Sequence, residues 1–150
     1  MKMYEVEDNK KVPLELLLLA DPSEEQIKCY VEEGTCYVAE EEDEIIGIYI
    51  LYQTEWDKVE IVNIAVKESN QGKGIGKQLV LHAVDEARRL GYSKIDICTG
   101  NSSIGPLALY QKCGFRLDSI EKDYFIQHYA EPIYENGIQC RDKIRLRLVL

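Results

Sequence analysis

Val59 to Leu90 reads VEIVNIAVKESNQGKGIGKQLVLHAVDEARRL: an apolar run, a glycine-rich turn and an amphipathic run in direct succession. Val59 to Val66 is apolar at nearly every position, which predicts a strand covered on both faces. From Gly74 to Leu90, apolar residues from Ile75 through Leu79, Ala83 and Ala87 recur at three- and four-residue steps, so a helix laying one face on a sheet is expected. His82, Asp85, Glu86 and Arg89 fall on its other side, which places His82 in solvent. The loop between, Lys67 to Lys73, presents unpaired N–H groups at the positive end of the helix dipole, and that combination makes an anion site.

Outward from this unit the elements alternate. Lys94 to Thr99 is a second buried strand, in the strand-helix-strand order of a parallel pair with a right-handed crossover. A polar loop, Asn101 to Gly105, leads to a helix that starts near Pro106 and stops at Gly114. Phe115 to Ile120 is expected as a strand, Tyr124 to Gly137 as an irregular aromatic and acidic segment, and Ile138 to Leu150 as one final strand. Upstream, Met3 to Glu7 alternates as a short strand does, and Leu14 to Ala20 forms a helix closed by Asp21-Pro22. Ser23 opens a capping box, Ser23-Glu24-Glu25-Gln26, for a helix ending at Gly34. Thr35 to Ala39 and Glu44 to Tyr52 make an antiparallel hairpin around a solvated acidic turn, Glu40 to Glu44. Trp56, in the next turn, is expected to be a partly buried packing residue. The sum is one α/β domain over residues 1–150, a mixed central sheet of six to seven strands with about four helices.

Composition narrows the partners. At 150 residues and 45% hydrophobic the chain buries a core of its own as a single domain. The longest apolar run, Leu16 to Ala20, is too short to span a bilayer, so no membrane partner is expected. Residues 1–60 hold 17 acidic and 5 basic side chains. That balance argues against nucleic acid and is compatible with a cationic substrate. Five scattered cysteines without a CxxC or zinc spacing indicate reduced thiols in a cytoplasm and no metal site.

Spacing removes two phosphate motifs from the turn. Gly72 and Gly76 stand three residues apart, not the four of GxxxxGK, and Lys77 is followed by Gln78. The turn also gives GxGxG, not GxGxxG. What remains is Q-x-x-G-x-G from Gln71 to Gly76.

Taken with the strand NIAV, the long helix, the following strand, Asn101 and the run Ala108-Leu109-Tyr110-Gln111-Lys112-Cys113-Gly114-Phe115, this pattern resembles the GNAT superfamily of acyl-CoA-dependent N-acetyltransferases. The resemblance covers about Val59 to Phe115. It implies that acetyl-CoA is the co-substrate, with its pyrophosphate on the N–H groups of Gln71, Gly72, Lys73, Gly74, Ile75 and Gly76 and with charge from Lys73 and Lys77. It further implies that pantetheine adds as a strand along Ile64, Ala65 and Val66, where the central parallel pair splays. By the same resemblance Asn101 orients the pantetheine or starts the next helix, and Tyr110 protonates the departing thiolate.

Transfer to an amine also needs a base, because an alkyl amine near pKa ~10 is protonated at neutral pH. Glu60, at the position of the base in several members, and Asp96, in the second core strand, are the two candidates, with Glu60 preferred. The acceptor stays open between a primary amine on a small polycationic molecule and a protein N-terminus or lysine. A non-catalytic acyl-CoA-binding module is the alternative of another class. The segment Asp123 to Glu135, DYFIQHYAEPIYE, suits an amine ligand, a loop packed on the last strand, or a homodimer contact.

Overall fold

Glu42 and Asp43 take φ of 52° and 63°, the left-handed pair that closes a two-residue hairpin with the twist of its strands. Around that exposed acidic turn β2 (Thr35–Glu41) and β3 (Glu44–Glu55) pair antiparallel, as expected. The computed structural model describes every residue from Met1 to Leu150. β1 (Lys2–Val6) lies on the outer side of β2, and β4 (Lys58–Val66) returns alongside β3. The turn between β3 and β4 holds only Trp56 and Asp57, since Glu55 already pairs with Lys58. Trp56 is 87% exposed there, not partly buried, because a hairpin tip has no neighbouring element to receive it.

α3 (Ile75–Arg89) carries the chain from β4 to β5 (Lys94–Gly100), which pairs parallel to β4. α4 (Ile104–Lys112), β6 (Arg116–Glu121), α5 (Tyr124–His128), β7 (Tyr134–Glu135), β8 (Ile138–Gln139) and β9 (Lys143–Val149) follow. The main sheet has seven strands in the order β1-β2-β3-β4-β5-β9-β6. The segment expected to be irregular contains α5 and half of a separate β7-β8 ribbon, turned at Asn136-Gly137 with φ of 55° and 73°. The final strand starts at Lys143 and not at Ile138. Asn101 accepts from the N–H groups of Arg141 and Asp142 and donates to the Gln139 carbonyl, which draws residues 139–142 out of the ladder.

Two apolar layers sandwich the sheet. α3 and α4 cover one face, where Leu79, Ala83 and Tyr110 meet Ile61, Ile97 and Leu146. On the other, α1 (Leu14–Ala20) and α2 (Glu24–Glu33) press Leu17 and Ile27 onto Val38, Ile48 and Ile50. Ser23 caps α2 by accepting from the Gln26 N–H at 3.3 Å, as its capping box requires. His82 is half-buried, not solvated: its Nδ1 lies 2.6 Å from the Tyr49 hydroxyl, and the Tyr49 ring stacks on Tyr37 at 4.8 Å. A fully buried tyrosine needs a partner for its hydroxyl, and His82 supplies it.

One irregularity positions everything that follows. Along β3 and β4, Ile50 faces Asn63 but Leu51 faces Ile61, so Val62 is an extra residue, a β-bulge. Before it, Val59 and Ile61 point to the α3 layer; after it, Ala65 points to the α1-α2 layer and Ile64 and Val66 take over on the α3 side. The parallel ladder between β4 and β5 ends just there, at Ile61 and Ile97.

Candidate active site

β4 continues for five residues beyond its last pairing with β5, and that stretch of edge has no strand beside it. Its N–H and C=O groups therefore face an open gap. Ile64, Ala65 and Val66 of this edge floor a cleft of about 540 Å³. The glycine-rich turn, with Gln71, Gly72, Gly74, Ile75, Gly76 and Lys77, forms one end, and Gly105, Pro106, Leu109 and Tyr110 of α4 form the far wall. Leu19 and Ala20 of α1 close the cleft from above. Sequence reading had named nearly all of these residues except the α1 pair and the start of α4. Lys73 lies outside the lining, as does Asn101, whose amide is consumed by residues 139–142.

The turn is shaped for an anion by backbone alone. Gly72 and Gly74 adopt φ of 77° and 82°, a region in which a side chain costs about 1–2 kcal/mol. No side chain caps α3, so its first N–H groups remain free at the positive end of the dipole. Gly76 is different. It has ordinary helical geometry, and a Cβ there would only touch Leu109 at 3.6 Å and Val66 at 4.0 Å. Nothing within the chain requires that glycine. Gln71 donates from Nε2 to the Val66 carbonyl at 3.0 Å, tying the turn to the end of β4.

Tyr110 is 6% exposed, and its hydroxyl borders the cleft without a hydrogen bond inside the chain. Burial, then the neighbouring Cys113, pushes its phenol up to about 12, so it is a proton donor throughout neutral pH. Both candidate bases stand on the same rung, since Glu60 of β4 pairs with Asp96 of β5 one step before the ladder ends. Neither lines the cleft, and their surroundings separate them. Glu60 Oε1 accepts from Arg145 Nη1 at 2.6 Å. Asp96 is fully buried and accepts from Arg147 at 2.8 and 3.1 Å and from Arg145 at 3.1 Å, with Lys58 Nζ at 3.7 Å.

Burial alone would raise the Asp96 carboxyl, but Arg147, Arg145 and Lys58 outweigh it and hold the group below the usual carboxylate range. Asp96 is the anion that anchors two arginines. These arginines went unnoticed in the sequence, although Lys143, Arg145 and Arg147 alternate with apolar residues and so share one face of β9.

Two more features complete the site. Cys98 follows Asp96 on that face of β5, and burial, then the Glu60 charge, pushes its thiol up to about 11. A thiol in that state is a poor nucleophile. Asn63, one residue past the bulge, is 5% exposed; its Nδ2 donates to the Leu17 carbonyl at 3.1 Å while Oδ1 has no partner. A lone polar residue within the apolar run of β4 was the only sign of it in the sequence. No group of His, Cys, Asp and Glu suited to a metal ion is present.

Comparison with known proteins identifies the family. The model of the acetyltransferase (GNAT) family matches residues 3–115. The uncharacterized N-acetyltransferase YvbK of Bacillus subtilis is 59% identical over 136 residues, which span 91% of this chain and 88% of that one. A Bacillus subtilis acetyltransferase solved in complex with CoA is 54% identical, with a TM-score of 0.94 over 99% of this chain and 98% of the other. A GNAT acetyltransferase of Elizabethkingia anophelis with acetyl-CoA bound is 46% identical, with a TM-score of 0.95 over 99% and 97% of the two chains. The chain thus belongs to the GNAT family as an acetyl-CoA-dependent N-acetyltransferase.

Proposed function

We infer that the acceptor is the primary amine of a small cationic molecule, that Glu60 serves as the base and that Tyr110 serves as the acid. The observation that carries the catalytic reading is the Tyr110 hydroxyl, unpaired and facing the cleft in which the β4 edge and the anion-binding turn meet. In this reading pantetheine amides pair with Ile64 to Val66, the pyrophosphate rests on the N–H groups of the turn, and Lys77 adds charge. The thioester then sits at the bulge, with the last rung of the ladder beside it.

The amine arrives protonated. Glu60, through a water molecule, removes one proton; the nitrogen attacks the thioester carbonyl, the tetrahedral intermediate's nitrogen gives up a second proton to water, and the C–S bond breaks as Tyr110 donates its proton to the sulfur and regains one from solvent. Because its phenol is pushed up to about 12, Tyr110 stabilises the thiolate chiefly as a hydrogen-bond donor and completes the proton transfer late.

The strongly acidic first 60 residues support a cationic acceptor. All five cysteines are free, which fits a reducing cytoplasm, and no helix is long and apolar enough to cross a membrane. A panel of polyamines, aminoglycosides, amino acids and N-terminal peptides, each incubated with acetyl-CoA and followed by release of free thiol, tests the reading. Turnover confined to the small cationic amines supports it, and turnover confined to peptides rejects it in favour of a protein acetyltransferase.

A further inference from the structure

β6 ends the seven-stranded sheet, so one whole edge of it has no strand alongside. All six of its residues are exposed, and two are large and apolar, Leu117 at 59% and Ile120 at 61%. A free edge carrying apolar side chains is a template for another strand. Arg116 and Glu121, at its two ends, form no ion pair within the chain, whereas Asp118 between them reaches Arg147 at 3.8 Å.

The register of β6 on β9 slips in the middle. Leu117 faces Leu146 and Ser119 faces Arg145, so Asp118 is an extra residue. In an unbroken strand, residues an odd number apart point to opposite faces. The bulge cancels that rule here. Leu117 and Ile120 share the face of Leu146 and Ile144, while Arg116 and Glu121 share the face of Arg147 and Lys143.

Two copies of one strand, paired antiparallel about a two-fold axis normal to the sheet, place side chains opposite each other only if the mates lie on the same face. β6 meets that condition because of its bulge. We propose that β6 pairs with β6 of a second copy of this chain, about an axis passing between Asp118 and Ser119, and joins the two sheets into one. Arg116 then stands opposite the partner's Glu121 and Leu117 opposite the partner's Ile120, and each contact occurs twice. A slip of one residue would set Arg116 against Ile120 and Asp118 against its own copy, so charge and apolarity together select the register. The interface lies two strands from β5, and the cleft at the β4 edge stays free.

Sedimentation equilibrium on the wild-type chain and on charge-reversed variants tests this arrangement. The wild type is expected as a dimer at micromolar concentration. Arg116→Glu and Glu121→Arg should each raise the dimer dissociation constant about tenfold or more, since like charges then face each other. The double variant, with the pair swapped, should return toward the wild type, and acetyl transfer per protomer should be unchanged in all three. Circular dichroism confirms that each variant is folded. A wild type that stays monomeric at 100-fold the concentration, about 100 μM, overturns the proposal, as does a dimer indifferent to both single changes. A double variant no better than the singles overturns the register.

Discussion

Glu60 and Arg145 are 85 residues apart in the chain, yet their side chains meet at 2.6 Å, one rung before the parallel ladder ends. The same Arg145 nitrogen also reaches Asp96 at 3.1 Å, so a buried anion helps to hold the guanidinium from which Glu60 accepts. The pair joins the end of the ladder to the far side of the sheet and fixes a carboxylate where the strands part.

Asp96→Asn should cost about 3 kcal/mol in urea unfolding, because two buried-face arginines lose their shared anion. The sign with pH follows from a carboxyl held below its ordinary range. Its contribution is complete above the unfolded value near ~3.9 and is lost as pH falls through the lowered native value. The wild type should therefore lose stability in acid more steeply than Asp96→Asn.

The two classes of glycine in the turn should separate. Gly74→Ala forces a side chain into φ 82° and should cost about 1 kcal/mol of stability together with acetyl-CoA affinity. Gly76→Ala sits in helical geometry with ordinary clearance, so unfolding should be neutral or stabilised by up to about 1 kcal/mol. Its acetyl-CoA dissociation constant should nevertheless rise about tenfold, as calorimetry would show.

Tyr110→Phe should lower kcat about 10–100-fold with acetyl-CoA affinity intact. Burial holds the phenol protonated to about 12, so the wild-type pH profile should show no decline from this group between about pH 7 and 10. A basic limb below about pH 10 that vanishes in Tyr110→Phe would contradict the raised phenol, and a Tyr110→Phe variant with wild-type kcat would contradict the acid role.

Alkali should destabilise the fold before it inactivates Tyr110. Burial raises Tyr37 and Tyr110 to about 12, Cys36 and Cys98 to about 11, and Tyr49 further still. Unfolded, these groups release protons near ~8.5 for thiols and ~10 for phenols. Native stability is thus complete below the unfolded values and declines as pH rises above them, since the native state holds more protons. Urea midpoints measured from about pH 8 to 10.5 should fall, and less steeply in Tyr37→Phe.

Periodicity carried most of this structure into view. The helix from Ile75 and the strand before it were plain because their apolar spacing reports a sheet contact directly. The bulge at Val62 was not, because an extra residue in an apolar run leaves the run apolar. The β7-β8 ribbon did carry a signal, Asn136-Gly137, a dipeptide that takes the left-handed pair of angles; the aromatic residues around it drew the reading elsewhere. Asn101 clamps residues 139–142, partners 38 to 41 residues downstream to which no local pattern points. The surroundings of Glu60 and Asp96 likewise come from arginines 49 to 85 residues away, which only the assembled sheet brings to them.

The role of Glu60 is tested most directly by the pH dependence of kcat for Glu60→Gln, with saturating acetyl-CoA and an amine found by the acceptor panel. The account predicts a loss of about 10²-fold or more at neutral pH, with the deficit narrowing as pH approaches the amine's own pKa near ~10 and with CoA affinity unchanged. Wild-type rates at neutral pH, or a deficit that stays constant up to pH ~10, would contradict it.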